Sequence, residues 1–421
     1  MNRKLWENMA SLYGVQVLNY AVPLFTLPYL TRVLGTGPWG VLAFADAYAS
    51  YISLVVEYGF GLSATREIAQ LRDDGEARSR QFAGVLGAQV ILAAIASVFT
   101  LFLSGMAPSL ATYRPLLPYA LLLAVSRSLV PFWYFQGLER MRLVAMLNVT
   151  ANVIAAAAIL ICVQHPADIW MPLAFRAGAS LLSFIAALGI VYSELPVLMP
   201  AWRYSWLVLR QGGSLFLFKS AVSLYTTANV LLLGFIAAPA VVAWFAGAEK
   251  IAKAAVGTIG PITQAFYPRI AHLMANDEAE ATRTARLSAW ITVGAGAAAG
   301  IVLFGAAPWL VRALLGRGFE NSIPVLRLFS VLPPLIAGSN VLGIQWMLPL
   351  RLDKEFNMII LIAGAFNLAL ALLLTPRFQQ IGMAVSVALA ETLVTASMVL
   401  LLRRRRLDPW SARPQVKGIA A

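Results

Sequence analysis

Long apolar segments separated by short polar ones dominate the sequence. Windows of about 19 residues identify twelve such segments, each bounded by charged residues, prolines or glycines. About 20 consecutive apolar residues are what an α-helix needs to cross the hydrocarbon core of a bilayer. The pattern therefore predicts an all-α polytopic membrane protein with about twelve transmembrane helices, at 11–33, 39–57, 82–103, 116–137, 143–163, 170–192, 213–237, 241–262, 288–311, 325–348, 358–376 and 382–402.

Composition agrees with this pattern and excludes some classes of protein. The 421 residues are 60% hydrophobic and 12% charged, whereas soluble proteins are roughly 45–50% apolar and about 25% charged. Twelve spans use nearly all the apolar residues, which excludes a globular enzyme with a membrane anchor. One cysteine and two histidines offer no disulfide framework and no zinc site. We predict no catalytic residues and no metal site.

The basic residues are distributed unevenly between the two sides of the predicted helices. The net charge of +13 would suggest nucleic acid in a soluble protein. Here 21 Lys and Arg residues lie in the loops on the same side as the two termini, and only 5 lie in the opposite loops. Since cytoplasmic loops retain Lys and Arg, both termini are predicted to be cytosolic. The basic loops then face anionic membrane lipids, and no nucleic-acid partner is expected.

A weak internal repeat divides the chain into two parts. Residues 40–47 align with 241–248 and share Val, Phe-Ala and Ala in register. Each copy is followed by an amphipathic loop, at 65–71 and 268–273. The predicted domains are two six-helix lobes, 1–210 and 211–402, with a parallel arrangement about the membrane normal, and a basic cytosolic tail at 403–421. Chance similarity between two apolar helices is the alternative.

Besides Arg32 at the end of the first span, ten charged residues fall within the predicted spans. Each would cost roughly 2.5–3.5 kcal/mol at a lipid-facing helix centre, so most of them must face away from lipid. Arg327 and Glu57 lie near the ends of their spans and are expected at the membrane interface. Glu249 and Lys253 are four residues apart on one helix, a spacing that favours a salt bridge.

Four of the cations are candidate substrate-binding residues. Arg127 and Lys250 are near the middle of their predicted spans, and Arg176 and Lys219 are about six residues inside opposite faces. Together they outline a cationic path through the bilayer. Arg can hold phosphate through two donors and Lys through a mobile point charge, so the path indicates an anionic substrate.

Two acidic residues are candidates for ion coupling. Asp46 lies in the second span and Glu391 in the last. Either carboxylate could exchange H+ or Na+ as its surroundings change, and an ion gradient is the only cofactor that the sequence suggests. The alternative is a static counter-ion for one of the buried cations.

Several segments resemble the bacterial polysaccharide flippases. In the first half these segments are residues 18–35, 40–46 and 57–69; in the second half they are 246–251 and 264–269. These flippases are the O-antigen or exopolysaccharide repeat-unit translocases of the multidrug/oligosaccharidyl-lipid/polysaccharide exporter superfamily.

The resemblance implies a transporter rather than an enzyme. It implies two MATE-like lobes around a cavity in the bacterial inner membrane, which move undecaprenyl-pyrophosphate-linked oligosaccharides by alternating access. Membrane lipids, glycan polymerases and chain-length proteins would be its partners. A drug/cation antiporter of the same superfamily and a membrane glycan polymerase or ligase are the alternatives. The antiporter would need an acidic cavity, and basic residues outnumber acidic ones in the spans.

Overall fold

The computed structural model describes residues 25–106 and 110–410, apart from the side chains of 106, 211, 214–215, 217–222 and 224–226. Every regular element in this described part is helical. The predicted all-α membrane fold is confirmed.

The chain divides into two compact units, the first of which extends to Phe235. Its helices are α1 (described over 25–34), α2 (Thr36–Glu57), α3 (Phe60–Gln70), α4 (Gly75–Met106), α5 (Leu117–Leu129), α6 (Phe132–Gly137), α7 (Met141–Cys162), α8 (Met171–Glu194), α9 (Trp202–Thr226) and α10 (Asn229–Ile236). Two short 3₁₀ helices, Arg114–Leu116 and Pro166–Trp170, precede α5 and α8.

The second unit begins at Ile236. Its helices are α11 (Pro239–Gly257), α12 (Gly260–Asn276), α13 (Glu278–Gly305), α14 (Ala307–Leu314), α15 (Ser322–Phe329), α16 (Leu332–Ser339) and α17 (Asp353–Arg404). A π-helix, Asn340–Met347, continues from α16.

Each predicted span is largely helical where its residues are described, and several spans contain a short break or end one residue past the helix. Eight helical segments of the described chain are long and apolar enough to cross a membrane. One of them, α17, contains two predicted spans, because Gln379 interrupts it with a non-helical backbone (φ 50°, ψ −128°). The predicted span at 241–262 corresponds to α11, whose charges at 249, 250 and 253 reduce its hydropathy. Much of the predicted first span lies outside the described residues.

Helix ends differ from the predicted ones where local chemistry intervenes. The predicted span at 116–137 is divided into α5 and α6, because a residue before proline avoids the helical region and Val130 is extended before Pro131. In the second unit α13 begins ten residues before the predicted span at 288–311. Asp277 caps this helix by accepting a hydrogen bond from the Glu280 backbone N–H, and acidic residues in the first turn complement the helix dipole.

The predicted domain boundary after residue 210 falls inside α9. The helix continues through Gly212 and Gly213. A Cβ at Gly212 would lie only 3.3 Å from the Tyr58 ring, so this glycine allows a close approach between helices. The division into compact units comes later, after Phe235.

The same order of elements occurs in both units, which supports an internal repeat. In α2, α3 and α4, and again in α11, α12 and α13, three consecutive helices have their longest member last, with 22, 11 and 32 residues in the first unit and 19, 17 and 28 in the second. The aligned residues Phe44 and Phe245 are both fully buried. Phe44 stacks on Tyr113 with ring centroids 3.9 Å apart, and Phe245 meets Phe329 edge to face. The predicted axis between the lobes stays a prediction.

Each unit has its own apolar core. In the first unit the core includes Phe60, Phe82 and Trp133 from α3, α4 and α6. In the second unit it includes Trp346 of the π-helix and Met398 of α17. The amphipathic helix α3 is thus held by its apolar face, and its polar face is left for the membrane surface.

Candidate functional site

A cavity of about 260 Å³ lies in the first unit between α2, α5 and α9. It is lined by Ser50, Tyr51, Ser53, Leu54, Glu57, Arg127, Ser223 and Thr227. Positions 50, 53, 54 and 57 follow the i, i+3, i+4, i+7 spacing, which places them on one face of α2. One helix therefore supplies hydroxyls and a carboxylate together, and α5 supplies the guanidinium.

Buried serines join α5 to α2 beside the cavity. Ser53 Oγ donates to the Ala124 carbonyl at 3.2 Å, and Ser128 Oγ donates to the Ser53 carbonyl at the same distance. Both serines are almost fully buried, at 4% and 3% exposure. Each bond is made away from water, and the Ser128 hydroxyl is shared with the Ala124 carbonyl of its own helix at 2.8 Å. The two bonds fix Arg127, one residue before Ser128, relative to α2.

A third helix, α4, also holds the C-terminal end of α5 through a hydrogen bond. Because the chain is extended at Val130, the Ser128 carbonyl has no partner within the helix. Gln89 of α4 is 2% exposed and donates to this carbonyl through Nε2 at 2.7 Å. The last turn of α5, which carries Arg127, is therefore held by hydrogen bonds on two sides.

Arg127 is the predicted substrate-binding residue that the structure places in this cavity. Its side chain is exposed and makes no hydrogen bond or ion pair with the residues that the structure describes. A guanidinium offers five N–H donors and no acceptor. The cavity thus presents an open donor set, surrounded by hydroxyls that can both donate and accept.

Glu57 also lines this cavity, whereas its place near the end of a span had indicated a membrane-interface residue. The difference arises because the rotation of α2 about its axis decides which way Glu57 faces. The position of a residue along a span does not reveal that rotation. The sequence did contain a usable signal. Ser50, Ser53 and Glu57 form a polar stripe at helical spacing in an otherwise apolar helix.

Arg176 and Asp46 form an ion pair. Arg176 Nη1 of α8 lies 2.7 Å from Asp46 Oδ1 of α2, and the side chains are 36% and 21% exposed. Neither residue lines the cavity. Eleven residues separate Asp46 from Glu57, about 16 Å along α2. The structure thus pairs a predicted substrate ligand with a predicted coupling residue, and it places Arg127 but not Arg176 in the cavity.

The other predicted site residues lie elsewhere. In α11 Lys253 Nζ lies 3.0 Å from Glu249 Oε1, as the spacing predicts. Lys250 is half-buried in the same helix, and Glu391 is buried in α17 at 8% exposure. Lys219 belongs to α9, but its side chain is outside the described residues. Substrate and coupling roles for these residues stay predictions.

Metal binding has no candidate in the described ranges 25–106 and 110–410. No group of three or more His, Cys, Asp or Glu side chains there could hold a metal ion. The cavity chemistry is instead that of an anion and hydroxyl site, with one guanidinium, one carboxylate and five hydroxyl groups.

Sequence comparison gives matches over most of the chain. Residues 5–274 match the family described as polysaccharide biosynthesis protein. A protein of Escherichia coli strain K12, named "Putative O-antigen transporter", is 33% identical over 408 residues, which is 96% of this chain and 98% of that protein. A protein of the same name from Shigella dysenteriae is 29% identical over 402 residues, 93% of this chain and 98% of its own.

Structure comparison finds the same fold in two kinds of transporter. The inward closed conformation of the lipid II flippase MurJ has a TM-score of 0.74 at 11% identity and covers 94% of this chain and 87% of its own. An inward-facing multidrug resistance MATE family transporter of the MOP superfamily has a TM-score of 0.70 at 14% identity, with 95% and 96% covered. At these identities the likeness establishes the fold.

Proposed function

Since this chain belongs to the polysaccharide biosynthesis protein family, we propose that it is a flippase for lipid-linked oligosaccharides. In this proposal it moves undecaprenyl-pyrophosphate-linked O-antigen or exopolysaccharide repeat units across the bacterial inner membrane by alternating access. The name of the relative that matches 96% of the chain supports an O-antigen substrate. The fold, which is shared with membrane transporters, supports alternating access.

The observation that carries the proposal is Arg127 in the cavity of the first unit. A guanidinium within an apolar span costs free energy unless it is hydrated or paired. Arg127 has no partner in the described part of the chain, and its donors match the geometry of phosphate oxygens. A phosphate or pyrophosphate group would supply the missing partner.

Cavity size indicates which part of the substrate enters. Pockets for drug-sized ligands are about 300–1,000 Å³, whereas this cavity is about 260 Å³. It can accept a phosphate and part of the adjoining sugar, but not a whole oligosaccharide with its polyprenyl chain. We propose that the prenyl chain stays in lipid, where burying it against protein would gain little.

The remaining candidate residues extend this hypothesis. Arg176, Lys219 and Lys250 would contact the substrate during other steps of transport, and Asp46 or Glu391 would couple transport to an H+ or Na+ gradient. The in-membrane charges of these residues support the assignment. Glycan polymerases and chain-length proteins, which act on delivered repeat units, would be functional partners.

Glu57 gives the drug/cation antiporter alternative one supporting feature. A carboxylate in the cavity is what a cationic substrate would need. The two functions make opposite predictions for the cavity charges. A flippase for pyrophosphate-linked sugars depends on the charge of Arg127, whereas a cation antiporter depends on that of Glu57. The glycan polymerase alternative has no such support, because the named relatives are transporters.

The test replaces Arg127 in a strain that lacks its own flippase and makes a defined repeat unit. Arg127→Gln should lower surface-glycan export at least about tenfold, since hydrogen bonds to charged groups contribute roughly 1.5–3 kcal/mol each. Arg127→Lys should retain part of the export, because it keeps the charge but loses the planar donor set. Export is measured as surface glycan per unit of protein in the membrane fraction.

Arg142→Gln is the matched control. Arg142 is exposed in the first turn of α7 and does not line the cavity. This variant removes the same charge from the first unit and should export normally. Wild-type export in Arg127→Gln, with the protein present in the membrane, would contradict the proposed cavity. Resistance to a cationic drug that is lost in Glu57→Gln but kept in Arg127→Gln would favour the antiporter.

A further inference from the structure

The cavity of the first unit lies between two close contacts that α2 makes with the end of the unit. Phe44 of α2 packs against Gly234 of α10, and Tyr58, directly after α2, packs against Gly212 of α9. Because the early residue of α2 meets the later glycine, α2 runs antiparallel to α9 and α10. The residues of these helices that line the cavity fall between the two contacts in the chain. Each end of the cavity is therefore bounded by an aromatic ring that lies against a glycine.

The end at Phe44 is tightly interlocked. Phe44 is fully buried, and its ring stacks on that of Tyr113 with centroids 3.9 Å apart. The Phe235 ring also meets it, edge to face, at 5.7 Å. A Cβ at Gly234 would overlap the Phe44 ring, so this close approach requires a glycine. Opening this end would break two ring contacts and expose a buried phenylalanine.

The end at Tyr58 is closed by one ring pair in the described part of the chain. Tyr58 stacks on Phe216 of α9 with centroids 4.5 Å and planes 17° apart, and both side chains are only half-buried. A Cβ at Gly212 would lie 3.3 Å from the Tyr58 ring, a close contact without overlap. The backbone of Tyr58 has a φ of 44°, in the left-handed region that residues other than glycine rarely adopt. Since Gly59 is also left-handed (φ 81°), the Tyr58 ring lies on a bend between α2 and α3.

Resting on the proposed function, we propose that Tyr58 and Phe216 form the entry gate through which the phosphate and the adjoining sugar reach the cavity. Movement of Tyr58 at the bend separates the two rings and opens this end. The separation breaks one ring pair and releases a disfavoured backbone conformation, whereas opening at Phe44 disrupts a buried cluster. The Tyr58 end therefore opens first. The loop that follows it carries basic residues, so the entry gate faces the side predicted to be cytosolic.

The experiment measures how fast a cysteine in the cavity reacts from each side of the membrane. Ser223→Cys places a thiol in the cavity lining, and Cys162→Ala removes the native cysteine. A membrane-impermeant methanethiosulfonate reagent is added to inverted vesicles, which expose the cytosolic side, or to spheroplasts, which expose the other side. A stacked aromatic pair changes an equilibrium by about 2- to 10-fold. Tyr58→Ala should therefore speed modification about 2- to 10-fold in inverted vesicles and should not speed it in spheroplasts.

Three further variants test whether the ring pair itself is responsible. Phe216→Ala removes the partner ring and should give the same increase, whereas Tyr58→Phe retains the stack and should keep modification slow. Tyr119→Ala is the matched control. Tyr119 also forms a ring pair in the first unit, with Trp170 at 5.3 Å, but it does not line the cavity. Its loss should leave the modification rate unchanged.

The outcomes separate this inference from the proposed function. Unchanged modification rates in both Tyr58→Ala and Phe216→Ala, with the proteins present in the membrane, would overturn the entry gate. Faster modification in spheroplasts alone, or an equal increase in Tyr119→Ala, would overturn it as well. Modification of the thiol requires no substrate, so a failed gate leaves the export test of Arg127 intact. If Arg127→Gln exported glycan normally, the proposed function would fail whatever the modification rates.

Discussion

The ion pair between Arg176 and Asp46 permits a test that separates structure from ion coupling. The two charges are 130 residues apart in the chain and 2.7 Å apart in space. Asp46→Asn leaves Arg176 without its carboxylate, and Arg176→Gln leaves Asp46 without its guanidinium. The double variant removes both charges and leaves two neutral amides.

The size of the effect follows from the surroundings of the pair. An unpaired charge at a lipid-facing helix centre costs roughly 2.5–3.5 kcal/mol, and breaking a fully buried pair costs roughly 3–5 kcal/mol. Because the side chains are 36% and 21% exposed, we expect each single variant to lose about 2 kcal/mol in free energy of unfolding. The double variant should lose less than the sum, with a coupling energy of about 1–2 kcal/mol.

Unfolding in detergent, followed by tryptophan fluorescence, measures the stability of the three variants. Glycan export in the flippase-deficient strain measures their function. If Asp46 is only a counter-ion, the double variant should recover export together with stability. If Asp46 exchanges an ion during transport, or if Arg176 contacts the substrate as proposed above, the double variant should be stable but inactive. Arg176→Gln alone keeps Asp46 and separates these causes, because only a substrate contact would make it inactive per unit of folded protein.

Additive effects would refute the structural reasoning. Should each single variant unfold within about 0.5 kcal/mol of the wild type, and the double variant show no coupling, the ion pair does not contribute to the fold. Recovery by the charge-exchanged variant, Asp46→Arg with Arg176→Asp, provides an independent check of the geometry.

Two further predictions concern the second unit. Gly296→Ala should lower the free energy of unfolding by about 1–3 kcal/mol, because the added Cβ would lie 2.7 Å from the Pro333 carbonyl oxygen. The control is Gly294→Ala, where nothing lies within 4 Å of the added Cβ. Thermal unfolding should show this control to be neutral or stabilising. Trp346→Phe should increase hydrogen exchange at residues 407–410, because the indole N–H donates to the Leu407 carbonyl at 2.7 Å; unchanged exchange would show that this bond does not hold the segment.

The spans could be predicted from the sequence because they depend on a local property. A helix in lipid must satisfy its backbone hydrogen bonds internally, so apolar length alone identifies it. Breaks within spans were harder to predict. Pro131 divides α5 from α6, and Gln379 divides α17, but prolines elsewhere, such as Pro268 in α12, lie inside continuous helix. Neighbouring groups decide which outcome occurs.

The site was predicted only in part because side-chain pairing is not local. Arg127 stood out as a mid-span charge, and the structure places it in a cavity. Arg176 stood out for the same reason, but it pairs with Asp46. Both arginines lie inside their predicted spans, so depth in the membrane does not distinguish a cavity residue from an ion-paired one. The rotation of α5 and α8 about their axes distinguishes them, and it is set by packing between helices.

The contrast between these two arginines indicates where substrate binding gains free energy. Both are in-span cations of the first unit. Arg176 has a carboxylate partner, whereas Arg127 has no partner in the described part of the chain. The charge of Arg127 must be stabilised by water, and the cavity of about 260 Å³ has room for about nine molecules at roughly 30 Å³ each. A phosphate that displaces this water meets a residue whose backbone is already held by the hydrogen bonds of Ser53, Ser128 and Gln89. Binding then orders the Arg127 side chain but no further backbone, which limits its entropic cost.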